Sequence, residues 1–283
     1  MNERCLPQST LADLCDVPAT SRWFRSGPLR LHALDYGGPL PPLVVLPGIT
    51  SPAVSMDFVA RELLDLVRPV VLDVRGRGLS DGGEAYGETY DLAAYAGDTE
   101  ALVSNLGLDR PLLLGHSMGA RIAAAVAVRA RVPVRGSVLV DPPLSGPGRG
   151  TYPTTLATFL DQLGQARRGT TADEVALSWP SWPRREQELR ARWLSSCAEE
   201  AVAATHHGFE SEDFFHWWPR VPEPVHLLYG ATSAVVTAEG AKEAAASRPV
   251  AVLDEIPGAG HMVFWDNPAD SLARLRAALE AML

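Results

Sequence analysis

The sequence predicts an α/β fold: a mostly parallel sheet with helices on both faces and an inserted helical cap. Three observations carry that expectation. Apolar runs of strand length alternate with segments of helical spacing, first up to Pro143 and again after Arg220. A glycine-flanked serine, Gly115-His116-Ser117-Met118-Gly119, falls between one such run and one such helix. Residues 145–219 break the alternation: they hold no convincing buried strand and carry Trp179, Trp182, Trp193, Trp217 and Trp218. The expected division is a core of residues 1–144 and 220–283, with a cap of residues 145–219 set into it.

The elements follow in order. The opening stretch, to about Thr20, reads as a short helix or an arm. SRWFRSGPLRLHALDYGG (21–38) predicts two short strands, broken at Gly27-Pro28 and closed by Gly37-Gly38. PLVVLPG (42–48) is a continuous apolar run, as expected of a strand covered on both faces. MDFVARELLDLV (56–67) has helical spacing, and RPVVLDVRGRG (68–78) is another buried strand ending in a glycine-rich loop. YDLAAYAGDTEALVSNLGL (90–108) predicts an amphipathic helix stopped by Gly107. RPLLLGHSMGARIAAAVAVRA (110–130) reads strand, sharp turn, helix. VRGSVLVDPP (134–143) is a strand halted by two prolines. After the helical stretch the pattern resumes with EPVHLLYG (223–230), a helix near 237–247, the strand PVAVLDEIPG (249–258) and a last helix from about Pro268. The chain contains no internal repeat.

Bulk properties narrow the function classes. With 283 residues, 46% hydrophobic and 21% charged, the chain is long enough for a sizeable core and is expected to be globular. A formal net charge of −9 argues against nucleic acid or an anionic membrane as partner. Cys5, Cys15 and Cys197 are scattered and form neither a disulfide framework nor a metal or redox pair. No basic start leads into an apolar run, and no stretch has the roughly 20 apolar residues a bilayer span needs, so a cytoplasmic protein is expected. None of this bears on oligomeric state.

The chemistry centres on Ser117. In G-x-S-x-G the nucleophile sits on a tight turn at the carboxyl end of a strand, where flanking glycines avoid backbone clashes and a helix start presents free N–H groups. A serine at such an elbow favours acyl transfer through an ester intermediate. The donors for a developing oxyanion are expected from Met118 N–H and from Ile49 N–H, in the loop Pro47-Gly48-Ile49-Thr50, where Gly48 is expected to permit an unusual turn. The Thr50 and Ser51 hydroxyls could assist. The general base is expected to be His261, in Gly258-Ala259-Gly260-His261 after the final strand. His116 is expected to pack under the elbow, and the pair His206-His207 has no metal-ligand spacing.

The base needs a carboxylate on its far nitrogen. The turn after Tyr229-Gly230 would be one place for it, yet it offers only Ala231, Thr232 and Ser233. Asp141, at the end of the preceding strand, is the preferred candidate, because neighbouring strands lie about 4.8 Å apart. Pro142 is expected to hold it in extended backbone. Glu239, and a dyad lacking an acid, stay open as alternatives.

The elbow, the Pro-Gly loop and the final Gly-His resemble the α/β-hydrolase superfamily over nearly the whole chain. A narrower resemblance rests on LPGITSPA (46–53), LDVRGRGLS (72–80), LLGHSMGAR (113–121), LVDPPLSGPGRGTYP (139–153) and AGHMVFWDN (259–267). Together these are similar to the N-formylmaleamate deformylases of bacterial nicotinate degradation. That resemblance implies a metal-free triad of Ser117, Asp141 and His261, no cofactor, and hydrolysis of an N-formyl amide to formate and maleamate. The stretch before about Thr20 and the middle of the cap match nothing in that family pattern. The same triad would also serve a carboxylesterase, a lactonase or a carbon–carbon bond hydrolase, and the fold a small-molecule receptor.

An anionic substrate calls for a cation. Arg149, at the cap entrance, is the candidate for its carboxylate, with Thr50 beside it. Arg75 and Arg77 are expected to be structural, and Arg121 to brace the loop after Asp141 or reach the substrate. The cap tryptophans are expected to pack the cap core.

Overall fold

The computed structural model describes Leu6 and residues 9–283; Cys5 lies outside the described residues. Eight strands form one sheet in the order β1-β2-β4-β3-β5-β6-β7-β8. They are β1 (Thr20–Ser26), β2 (Leu29–Asp35), β3 (Pro42–Leu46), β4 (Arg68–Asp73), β5 (Leu112–His116), β6 (Gly136–Val140), β7 (Val225–Gly230) and β8 (Val252–Ile256). β1 and β2 pair antiparallel, β2 pairs antiparallel with β4, and all later neighbours are parallel.

The helices are α1 (Thr10–Cys15), α2 (Asp57–Arg61), α3 (Leu92–Asn105), α4 (Met118–Arg129), α5 (Leu156–Arg168), α6 (Ala172–Ser178), α7 (Arg184–Trp193), α8 (Glu199–Ser211), α9 (Phe214–Trp217), α10 (Ala238–Ser247), α11 (Val263–Asp266) and α12 (Pro268–Glu280). Helices α5 to α9 lie between β6 and β7 with no strand among them. Among the described residues no helix is long and apolar enough to cross a membrane.

The central strands are buried on both faces because successive side chains point opposite ways. Val44, Leu46, Leu113, Leu139 and Leu227 join the core under α3 and α4. Their neighbours Leu43, Val45, Leu112, Leu114, Val138 and Leu228 join the second core, under α2 and α12. Residues 56–67 form less helix than their spacing predicts. A 3-10 turn (Ala53–Met56) leads into the short α2, and turns carry the chain on to β4. The apolar face is kept all the same, with Met56, Val59, Ala60 and Leu63 buried. Turns that return every third or fourth residue satisfy that pattern as well as a helix does.

What matters for the site is strand order. β5, β6 and β7 are adjacent, so the carboxyl ends that precede Ser117, Asp141 and Ala231 stand side by side. β8 lies beyond β7 and delivers the loop to His261.

Candidate active site

Ser117 stands between β5 and α4 with φ 55° and ψ −117°, a conformation a residue with a side chain adopts only when its surroundings impose it. The surroundings do so. A Cβ on Gly119 would overlap the Leu46 carbonyl oxygen, so only glycine lets α4 start this close to β3. Ser117 N–H donates to Val140 O at 2.8 Å, fixing the turn against β6.

His261 closes on this serine. Its Nε2 lies 3.0 Å from Ser117 Oγ, and its Nδ1 lies 2.7 Å from Asp141 Oδ2. Ionised Asp141 can only accept, so Nδ1 carries the proton and Nε2 is free to accept from the serine hydroxyl. Asp141 is fully buried and otherwise satisfied: Gly230 N–H donates to Oδ1 at 3.0 Å and the Ser233 hydroxyl to Oδ2 at 2.6 Å. The turn that lacks a carboxylate thus supplies a hydroxyl to the carboxylate next door. Glu239 is elsewhere, in the first turn of α10 on a separate surface cleft.

One expectation about Asp141 is corrected. Its backbone is not extended but left-handed, with φ 48°. The proline that follows disfavours the right-handed helical region, and aspartate tolerates the left-handed one. The bond from Asp141 N–H to Leu228 O at 2.8 Å ties the bend to β7.

The loop after β3 lies against the serine. Gly48 does not take a left-handed backbone, contrary to the expected unusual turn. The loop lies close to the elbow, and a Cβ on Gly48 would be in ordinary contact at 3.4 Å from His116 Nδ1 and 3.5 Å from Ser117 Cβ. Among the described residues, neither Ile49 N–H nor Met118 N–H donates to a protein acceptor. Arg77 Nε donates to Ile49 O at 3.0 Å, and the same guanidinium reaches Tyr95 OH and Thr205 Oγ1, so it braces this loop from below. Arg121 is likewise a brace, donating to Pro143 O and Ser145 O beyond Asp141. Arg75 forms a two-bond pair with Asp98.

His116 packs beneath the elbow, and it does more. Its Nε2–H donates to the His261 carbonyl at 2.9 Å, holding the loop that carries the other imidazole. Burial, aided by the charge of His261, draws its pKa down to about 3, so it is a neutral donor. Tyr152 was not singled out from sequence. Its hydroxyl lies 3.4 Å from His261 Nε2, and burial raises its pKa, keeping the phenol protonated.

Ser117, His261, Ile49, Thr50 and Tyr152 line a cavity of about 190 Å³. Residues from between β6 and β7 form its far wall. Trp179 and Trp182 stack with centroids 4.9 Å apart, and Trp182 stacks on Trp265 of the core at 5.5 Å. These two tryptophans line the cavity, and Trp182, Trp193 and Trp218 pack in the two cores shared with the sheet rather than in a separate cap core. Arg149 does not reach the cavity. It is bonded to both oxygens of Glu243 at 2.7 Å and lies over the Phe215 ring, on the surface cleft that also holds Glu239. The cation at the cavity is Arg190 of α7, which sequence reading passed over.

The same three residue types meet a second time. His32 Nδ1 lies 2.7 Å from Asp73 Oδ2 and its Nε2 lies 3.0 Å from Ser21 Oγ. Here Asp73 also accepts from Ala53 N–H and Leu79 N–H, and Ser21 lies exposed on β1 in regular pairing with β2. No strained turn and no helix start accompany that serine, so this triple fastens loops to the sheet. Distances alone therefore do not tell the two serines apart; the elbow at Ser117 does.

A central parallel sheet, a serine on a strained strand–helix turn, and an imidazole and carboxylate from later strand ends define one class of protein. A model of the α/β hydrolase family matches residues 43–275, and the chain belongs to that family. Within it, the chain is 38% identical over 239 residues to N-formylmaleamate deformylase of Pseudomonas putida, covering 84% of this chain and 88% of that protein. A crystal structure of the N-formylmaleamic acid deformylase of another Pseudomonas putida strain superposes with a TM-score of 0.84 at 34% identity, over 90% of this chain and all of that one. The 2-(acetamidomethylene)succinate hydrolase of Mesorhizobium japonicum is 28% identical over 95% of this chain and 99% of that protein.

Proposed function

We propose that the protein is a metal-free serine hydrolase that releases formate from a formyl amide resembling N-formylmaleamate. The observation that carries the chemistry is the bonded chain Ser117–His261–Asp141 opening on a cavity of about 190 Å³. The reaction assignment is supported by likeness to a deformylase along nearly the whole chain.

In the first step His261 Nε2 takes the Ser117 proton while Oγ attacks the formyl carbon. The carbonyl oxygen gains the negative charge and is met by Ile49 N–H and Met118 N–H, donors fixed before reaction. The C–N bond then breaks as the imidazolium hands its proton to the leaving nitrogen. Water next attacks the formyl ester with His261 again as base, releasing formate and restoring the serine. Asp141 holds the imidazole in its Nδ1–H form and offsets its charge at both stages. Ser233 and Gly230 keep that carboxylate aimed.

Residues 145–219 act as a cap on a core of residues 1–144 and 220–283, and the Trp179–Trp182 wall keeps bulk water from the formyl-enzyme. Formate release from N-formylmaleamate by purified protein tests the reading. Wild-type turnover is expected, and Ser117→Ala is expected to lower it about 10⁶-fold. Hydrolysis of p-nitrophenyl acetate with no formate from formyl amides would instead assign an esterase, and ligand binding without any turnover a receptor.

A further inference from the structure

The other arginines near the site fall into two groups. Arg77 and Arg121 bond protein acceptors through Nε and both terminal nitrogens. Arg149 is neutralised by Glu243. Arg190 belongs to neither. Among the described residues no Asp or Glu pairs with it, and its buried Nε has no partner. Its Nη1 donates to Thr50 O at 2.7 Å and Thr50 Oγ1 at 3.0 Å, and Nη2 makes a longer bond of 3.3 Å to Gln162 Oε1. The Trp179 ring lies beside it, with 5.5 Å to the centroid. A cation without a counter-ion is costly to enclose and is retained where a ligand completes it.

The neutral neighbours are arranged to help. Because Thr50 Oγ1 accepts from Arg190, its own hydroxyl proton is left to point into the cavity. Gln162 Oε1 is turned to the guanidinium, which leaves the Gln162 amide hydrogens for another acceptor. All three residues line the same cavity as Ser117, and Thr50 directly follows Ile49. Burial brings the Arg190 pKa down to about 10, so the group stays charged at neutral pH.

We infer that Arg190, with Thr50 and Gln162, is the carboxylate subsite of this cavity, so that the substrate is a short amide bearing a free acid at the end away from Ser117. This deepens the formyl-amide reading and rests on it for the identity of the scissile bond alone. A carboxylate there takes the remaining N–H bond of Arg190 Nη2, an amide N–H bond of Gln162 and one O–H bond from Thr50. It also sets where the scissile carbonyl sits, because the anchor and the oxyanion donor are adjacent residues of one loop.

The test uses maleate, a small dicarboxylate, and its neutral diamide as probes, titrated calorimetrically into the full-length Ser117→Ala protein. Maleate is expected to bind, and adding Arg190→Gln is expected to weaken it about a hundredfold while the diamide changes little. Arg190→Lys keeps the charge without the fork and is expected to fall between, about tenfold weaker. Equal loss for maleate and diamide would make Arg190 a structural strut and overturn the subsite. Unchanged maleate affinity in Arg190→Gln, or no maleate binding to Ser117→Ala, would overturn it too. Arg190-dependent maleate binding in a protein whose wild type releases no formate would sink the deformylase reading and leave the subsite standing.

Discussion

Asp141 shows how much one side chain depends on others. It accepts from His261, Ser233 and Gly230, is fully buried, and sits on left-handed backbone. Asp141→Asn keeps the shape but presents an N–H where an acceptor is needed, favouring the wrong imidazole tautomer. We expect kcat to fall about 10⁴-fold with the fold intact, checked by formate release beside a thermal melt. The sequence pointed to this acid by elimination and by strand adjacency, and the sheet order places β6 between β5 and β7 as that adjacency required. It did not reveal the backbone bend, because a following proline forbids one region without choosing among the rest. Nor did it reveal Arg190. That side chain meets Thr50 across 140 positions of chain, and no neighbour in its helix marks it. Arg149 drew attention through its place at the cap entrance, but Glu243, 94 positions away, claims it.

At the scale of elements, the elbow is a junction of three segments. β5 ends, α4 begins, and β3 passes so close that a methyl group at Gly119 has no room against Leu46 O. The colliding atom is backbone within a paired strand, so it cannot swing aside. Gly119→Ala is therefore expected to cost more than about 3 kcal/mol and to yield little folded protein, read as soluble expression and urea midpoint. This junction was the most legible part of the chain, because its glycines, its apolar run and its helix all lie within a few residues of one another. Residues 56–67 were less legible: the apolar spacing reports which side faces the core, and several kinds of turn meet that demand.

For the whole molecule, the contact between the strand-free stretch and the sheet carries a titration. Glu186 of α7 is buried and bonded to Arg185, which also reaches Asp57 of α2. Burial raises the Glu186 pKa from 4.5 to about 7. Between those values the folded chain holds a proton that the unfolded chain has released. Stability should therefore fall as pH rises from about 4.5 to 7 and level off above that. Glu186→Gln removes the penalty and is expected to stabilise the protein by up to about 3 kcal/mol at pH 8, with a much smaller gain at pH 5. Denaturant melts at the two pH values check this; equal gains would contradict it. Strand and helix alternation announced the layered architecture from sequence, but a carboxyl group caught between two layers is visible only once the layers are stacked.

The hydroxyl of Ser233 rests 2.6 Å from the carboxylate it serves, across the gap between two neighbouring strand ends. Donor and acid occupy two seats at one table, and the imidazole bonds the seat that bears the charge. A lineage can therefore move the negative charge from one seat to the other while nucleophile and base stay where they are, so the address of the acid is a poor guide to what such a protein hydrolyses.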